Sequence, residues 1–188
     1  GVAGFADGPA STAQFSNPRD VAVDSLGNVY VADSSNNRIR MIDQTGNVST
    51  VAGGSVAGYV DSTGASARFS QPTGIAVDAF DNLYVGDQYN NRIRKINSFG
   101  TVTTVAGSGL YGGFADGIST VAQFSGPSGL AVDSMGNIYV ADIGNHRIRK
   151  IDLAGNVTTV AGNGTRGYAD GTGFATQLDF PEDVAVDA

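Results

Sequence analysis

The 188-residue chain has no cysteine, a single histidine, two lysines and one glutamate. Without cysteine there is no disulfide framework and no thiolate metal site, although this leaves the compartment open. One histidine, His146, excludes a zinc site built from several imidazoles in this stretch. The common helix formers are sparse, and no long amphipathic run is present. Net charge is −7 and the basic residues recur singly, so no basic stripe exists to track phosphates. An acidic surface of this kind disfavours nucleic acid and anionic membranes as partners. No apolar run approaches bilayer length and no charged-then-apolar leader opens the sequence, so membrane insertion is not expected. No cofactor and no metal are expected either.

What is abundant is glycine, with 27 residues, and repetition. Leu130-Ala131-Val132-Asp133 has counterparts at 21–24, 75–78 and 184–187, at steps of 54, 55 and 54 residues. Pro18, Pro72, Pro127 and Pro181 keep the same spacing, as do Asp7, Asp61, Asp116 and Asp170. The one extra residue falls in the glycine-rich stretch 108–113, where a loop absorbs it. Such a period marks a repeat architecture.

Each copy carries four strand signals separated by turn residues. In the first copy the apolar run ending at Val23 is followed by Asp24-Ser25-Leu26-Gly27-Asn28, a turn in which Gly27 suits positive φ. Val29-Tyr30-Val31-Ala32, a polar loop, Arg38-Ile39-Arg40-Met41-Ile42, a second turn and Val48-Ser49-Thr50-Val51-Ala52 complete the unit. Four short strands per repeat predict all-β propeller blades. Apolar runs that alternate only loosely suit sheets covered on both faces, as stacked blades are. The chain then divides into a connection (1–17), blades at 19–52, 73–106 and 128–161, and the first strand of a further blade at 182–188.

The stretch PSGLAVDSMGNIYVADIGNHRIRKID resembles the NHL repeat, including Asn145-His146-Arg147 at the third strand; Asn36-Asn37-Arg38 and Asn90-Asn91-Arg92 stand at the same place in the other copies. The similarity covers nearly the whole chain. It implies a β-propeller, usually six-bladed, used mainly for protein, glycan or RNA recognition, with some lyases among its members. The long period, set by inter-blade segments such as 113–126, resembles that of surface-exposed members. Lyase relatives rely on histidine ligands or histidine acid–base chemistry, for which this sequence offers one candidate, and RNA is disfavoured by the charge.

Both ends carry a connection plus a first strand, so neither supplies the missing strands, about 29 residues by alignment. Closure by shared termini, common in propellers, is not available. The simplest expectation is further blades from a longer chain; a second copy completing the ring is the rival, and an open arc leaves raw sheet edges.

Several residue sets invite a chemical reading. Asp24, Asp78, Asp133 and Asp187 close the first strands, where a ring of carboxylates would suit a divalent cation. Recurrence in every repeat instead favours turn capping through backbone N–H groups. Asp33, Asp87 and Asp142 precede a loop that Arg38, Arg92 and Arg147 follow, which predicts a carboxylate–guanidinium brace. Arg40, Arg94 and Arg149 are expected to lie over blade edges with exposed heads. The connection aspartates sit in turns anchored by Phe5, Tyr59, Phe114 or Tyr168, with Phe15, Phe69, Phe124 and Leu178 as a second apolar anchor. Asn47, Asn156 and Asn163 fit the N-glycosylation pattern.

Departures from the repeat point to ligand contact. Tyr89 replaces Ser35 and Gly144, Phe80 replaces Leu26 and Met135, and Leu110-Tyr111 enters at the insertion. Exposed aromatics are common on recognition surfaces. The sequence therefore predicts a non-enzymatic recognition or scaffold propeller, extracellular or at the cell surface, binding protein or glycan through loops on one face. A lyase or lactonase with a metal in the channel and a structural element of a larger assembly are the alternatives.

Overall fold

The computed structural model describes residues 2–109 and 111–187; Gly1, Leu110 and Ala188 lie outside the described residues. Three antiparallel sheets follow one another. The first contains β1 (Gly8–Pro9), β2 (Pro18–Val23), β3 (Val29–Asp33), β4 (Arg38–Ile42) and β5 (Asn47–Ala52). The second contains β6 (Pro72–Val77), β7 (Leu83–Asp87), β8 (Arg92–Ile96) and β9 (Val102–Ala106). The third contains β10 (Gly117–Ile118), β11 (Pro127–Val132), β12 (Ile138–Asp142), β13 (Arg147–Ile151) and β14 (Asn156–Ala161). Each is an up-and-down meander, and β1 and β10 are short connection segments that pair with the fourth strand of the blade they precede. None of the sheets closes on itself.

The strands form where β-branched residues alternate between turn residues, and each loop before the third strand ends on a left-handed residue. Asn37, Asn91 and His146 take φ of 55°, 53° and 53° there, a region that asparagine and histidine tolerate better than most residues.

Blades pack face to face through two apolar cores. Ile39 and Ala52 of the first blade meet Ile75, Leu83, Val85 and Ile96 of the second, with Phe69 of the connection wedged between them. Ile93 and Ala106 meet Leu130, Ile138, Val140 and Ile151 in the same way around Phe124. Both phenylalanines are fully buried, worth roughly 1.5–3 kcal/mol each by area. The second blade is thus covered on both faces. At one edge of the arc Val21 is 57% exposed, whereas its counterparts Ile75 and Leu130 are buried, and Val23 is 57% exposed, whereas Val77 and Val132 are half-buried.

Residues 182–187, expected as a first strand, form no ladder. They lie along β11, where the Gly129 amide donates to the Glu182 carbonyl (2.9 Å). A first strand ladders only with the second strand of its own blade, and no such strand is present among the described residues.

Candidate functional site

The meander gives every blade two unlike ends. The turns 24–28, 78–82 and 133–137 lie at one end, and the loops 34–37, 88–91 and 143–146 lie at the other, because Pro18 pairs with Asp33 and Val23 with Val29 across the same ladder.

At the loop end each blade is locked by a buried arginine. Arg40, Arg94 and Arg149 are fully buried, so the exposed heads expected for them are not found. Arg40 Nη1 donates to Asp33 (2.8 Å) and to the Gln14 carbonyl (3.1 Å), while Nη2 donates to Asp7 (2.6 Å) and the Ala6 carbonyl (2.8 Å). Arg94 repeats this with Asp87, the Arg68 carbonyl, Asp61 and the Val60 carbonyl. Arg149 does so with Asp142, the Gln123 carbonyl, Asp116 and the Ala115 carbonyl. The brace expected between Asp33 and Arg38, and its copies at Asp87–Arg92 and Asp142–Arg147, therefore uses the second arginine of each strand. The first arginines stack instead on the connection aromatics: Arg38, Arg92 and Arg147 sit 3.9, 3.8 and 3.7 Å from the ring centres of Phe5, Tyr59 and Phe114.

Asp87 also accepts from the Ser70 amide and from Asn90 Nδ2, at 2.8 Å each. Burial pushes the Asp87 and Asp142 carboxyls above the ordinary carboxylate range, against the pull of these donors and of the guanidinium. The node joins the second strand, the third strand and the preceding connection of each blade. It was missed because Arg38 stands directly opposite Asp33 in the ladder, and the connection aspartates keep a constant step to both arginines of each strand, so the repeat spacing does not choose between them.

The starts of the first strands of the blades, β2, β6 and β11 (the inner strands), surround with residues 182–183 a polar cleft of about 350 Å³, lined among others by Arg19, Asp20, Thr73, Ser128, Glu182 and Asp183. These residues follow the four repeating prolines, as Arg-Asp, Thr-Gly, Ser-Gly and Glu-Asp; the first of each pair differs in every copy and the second is either aspartate or glycine. Asp20 ties the blades together by accepting from the Val21 amide (2.8 Å) and, across to the second blade, from the Ile75 amide (2.9 Å). Burial raises its pKa, the two amides oppose this, and the charge of Asp183 adds to the rise. Gly74 lies against Ser128 O, so the inner strands approach too closely there for a side chain. Sequence reasoning passed over this cleft, although its lining departs from the repeat as clearly as Tyr89 does.

Tyr89, 62% exposed, adjoins Gln88 of the cleft. Phe80, 84% exposed, stands on a turn at the opposite end. Tyr111 is exposed on the glycine-rich connection whose Gly109 carbonyl accepts from Arg92 (3.3 Å). The structure thus does not gather the three aromatics into one patch. Asp24, Asp78 and Asp133 each accept two backbone amides of their own turn through Oδ1. Among the described residues no three of His, Cys, Asp or Glu are grouped to hold a metal ion. Asn47 and Asn156 are exposed, and Asn163 is half-buried with its Oδ1 accepting the Thr165 amide (2.8 Å).

His146 takes the place of Asn37 and Asn91 in function as well as position. Those asparagines accept the Gln71 and Gly126 amides of the next connection through Oδ1. His146 accepts the Phe180 amide through Nδ1 (3.2 Å), which requires the neutral ring, and meets the Phe180 ring edge-on at 4.6 Å.

The family model for the NHL repeat matches residues 15–40, 69–96 and 124–151, covering in each blade the inner two strands, the loop and the start of the third or all of it. The chain belongs to the NHL-repeat family. It is 36% identical over 153 residues to protein Suppressor of Quenching 1, chloroplastic, of Arabidopsis thaliana, covering 76% of this chain and 14% of that protein. It is 32% identical over 162 residues to NHL repeat-containing protein 2 of Bos taurus, covering 79% of this chain and 22% of that protein. The chain therefore spans less than a quarter of either relative's length. An auxiliary nutrient binding protein of Bacteroides ovatus superposes with a TM-score of 0.71 at 22% identity, over 92% of this chain and 44% of that one. Its β-propeller fold is the fold of this NHL-repeat chain.

Proposed function

We propose that this NHL-repeat chain is a non-enzymatic recognition or scaffold module that binds a protein or glycan partner at the loop end of its blades. One observation carries the reading: four different side chains, Arg19, Thr73, Ser128 and Glu182, occupy equivalent positions around the cleft, on a frame that otherwise repeats. A turn or brace recurs in every copy, whereas a binding site needs differences between copies. Cation, carboxylates and hydroxyls stand together there, a polar set that suits hydroxyl-rich or mixed-charge ligands, and exposed Tyr89 follows Gln88 of the lining in the chain. The solved propeller named as a nutrient binding protein supports a binding role for such a frame. Binding to arrayed glycans and peptides tests it. Arg19→Ala and Tyr89→Ala are expected to weaken a captured ligand about tenfold or more, with Phe80→Ala at the far end neutral. Loss on Phe80→Ala alone overturns the placement.

An extracellular or cell-surface location belongs to the same proposal, supported by the sparse lysine and glutamate and by exposed Asn47 and Asn156 within glycosylation patterns. A glycosidase-sensitive mass increment on protein from its source tests this directly. An unmodified mass, with the protein recovered from inside cells, refutes it.

A further inference from the structure

The turn end of the blades carries its own departures from the repeat, which the loop-end reading leaves unused. Phe80 stands where Leu26 and Met135 stand, Asp81 where Gly27 and Gly136 stand, Phe99 where Thr45 and Ala154 stand, and Met41 where Lys95 and Lys150 stand. Three of the four line one cleft between the first two blades, and Phe80 adjoins Asp81 on its turn. The cleft, of about 340 Å³, has Tyr30, Met41 and Val51 on one wall and Asp81, Leu83 and Phe99 on the other. Asp81 takes φ of 59°, a left-handed conformation that its glycine counterparts adopt without strain. Its carboxylate accepts the amide (2.9 Å) and the hydroxyl (2.7 Å) of Ser25 on the first blade, which clamps the two turns side by side. Leu26, Phe80 and Phe99 project beside this clamp, 67%, 84% and 83% exposed. The turns of Phe80 and Phe99 leave one sheet two strand spacings apart, about 10 Å. Residues two turns apart on a helix are separated by about 11 Å.

The charge around these tips is of one sign. The turns 24–28, 43–47, 78–82 and 97–101 carry Asp24, Asp43, Asp78 and Asp81 and no lysine or arginine. Lys95 lies over the Tyr84 ring, on the face turned to the third blade. We infer that the turn end of the first two blades is a docking surface for a basic amphipathic helix of a protein partner. The helix seats aliphatic or aromatic residues on Leu26, Phe80 and Phe99 and sets lysine or arginine beside the four carboxylates. The exposed apolar tips supply the anchor for one face of such a helix, and the aspartates around them select the sign of its rim. A second copy of the chain is not the occupant, because the same end of another copy would bring aspartate against aspartate. The surface is separate from the loop-end cleft, since turns and loops lie at opposite ends of each ladder.

The test follows fluorescence polarisation of a labelled amphipathic helix of leucine and lysine, about five turns long. A lysine–glutamine helix of equal charge and a leucine–glutamate helix of equal apolar face are the references. Only the leucine–lysine helix is expected to bind, and less tightly as sodium chloride is raised. Phe80→Ser combined with Phe99→Ser should weaken binding about tenfold or more; both side chains are exposed, so the variant keeps its fold. Asp43→Asn combined with Asp81→Asn should weaken it through charge alone, asparagine being tolerated at the left-handed position. Arg19→Ala, at the loop end, should bind the helix as the unaltered chain does. No binding, binding that the phenylalanine pair does not weaken, or equal binding of the lysine–glutamine helix overturns the surface. Capture of phosphatidylcholine vesicles instead of the helix, or self-association that the phenylalanine pair abolishes, overturns the choice of occupant.

Discussion

Replacing Asp87 with asparagine removes one charge from the central blade's node and is the most direct probe of what holds a blade together. The carboxylate is fully buried and accepts three donors: the Ser70 amide at 2.8 Å, Asn90 Nδ2 at 2.8 Å and Arg94 Nη1 at 2.7 Å. An asparagine has one acceptor oxygen, so one orientation turns its NH₂ toward Ser70 and the other turns it toward Asn90 and Arg94. Arg94 keeps Asp61 and the Arg68 and Val60 carbonyls but loses its only fully buried counter-charge. Breaking a buried pair on one side costs about 3–5 kcal/mol, a large share of the roughly 5–15 kcal/mol that stabilises a domain. Asp61→Asn is the control. Its side chain is 39% exposed, so water compensates and the expected loss is about 1 kcal/mol or less. Urea unfolding at constant slope separates the two variants, with the midpoint of Asp87→Asn about 2 M lower. Equal losses below about 1 kcal/mol in both would refute the node as a structural lock.

His146→Ala should cost about 1 kcal/mol through the lost Phe180 amide bond, while His146→Asn, which restores the residue of the other blades, should cost less; chemical denaturation measures both. Gly74→Ala should destabilise by about 1–3 kcal/mol because its methyl group meets the Ser128 carbonyl; an unchanged melting temperature would contradict the close approach of the inner strands. Asn137 and the turn amides hold the Asp133 carboxyl below its ordinary range. The stability it contributes is therefore present above the unfolded-state pKa, about 3.9, and is lost as pH falls through the lower folded value. Asp133→Asn should flatten that acid limb of a stability-versus-pH curve. Burial and the Asp24 hydrogen bond push the Tyr30 phenol up to about 12, so Tyr30→Phe should remove one late-titrating group from an alkaline absorbance titration, and a loss at pH 10 would refute the contact.

The repeats, the four strands of each blade and the turns at Asp24, Asp78 and Asp133 were legible in the sequence because they are local. A strand needs only its alternating apolar residues, and a capped turn needs only an aspartate and the amides two and four residues on. The buried arginines were not legible. Residues two apart on a strand face the same side of the sheet, so nothing local separates Arg38 from Arg40. The choice is made by a segment 26 to 34 residues earlier, whose carbonyls and Asp7 enclose Arg40 and leave Arg38 stacked on Phe5. The cleft is likewise a product of assembly. Arg19, Thr73, Ser128 and Glu182 are spread over 164 positions of the chain and line one cleft only because successive inner strands pack side by side. Each repeat's strands and turns follow from its own residues, since those interactions close within a few positions of the chain. Tertiary packing decided which charges are buried and which unlike side chains share a surface, since those interactions exist only once one blade rests on the next.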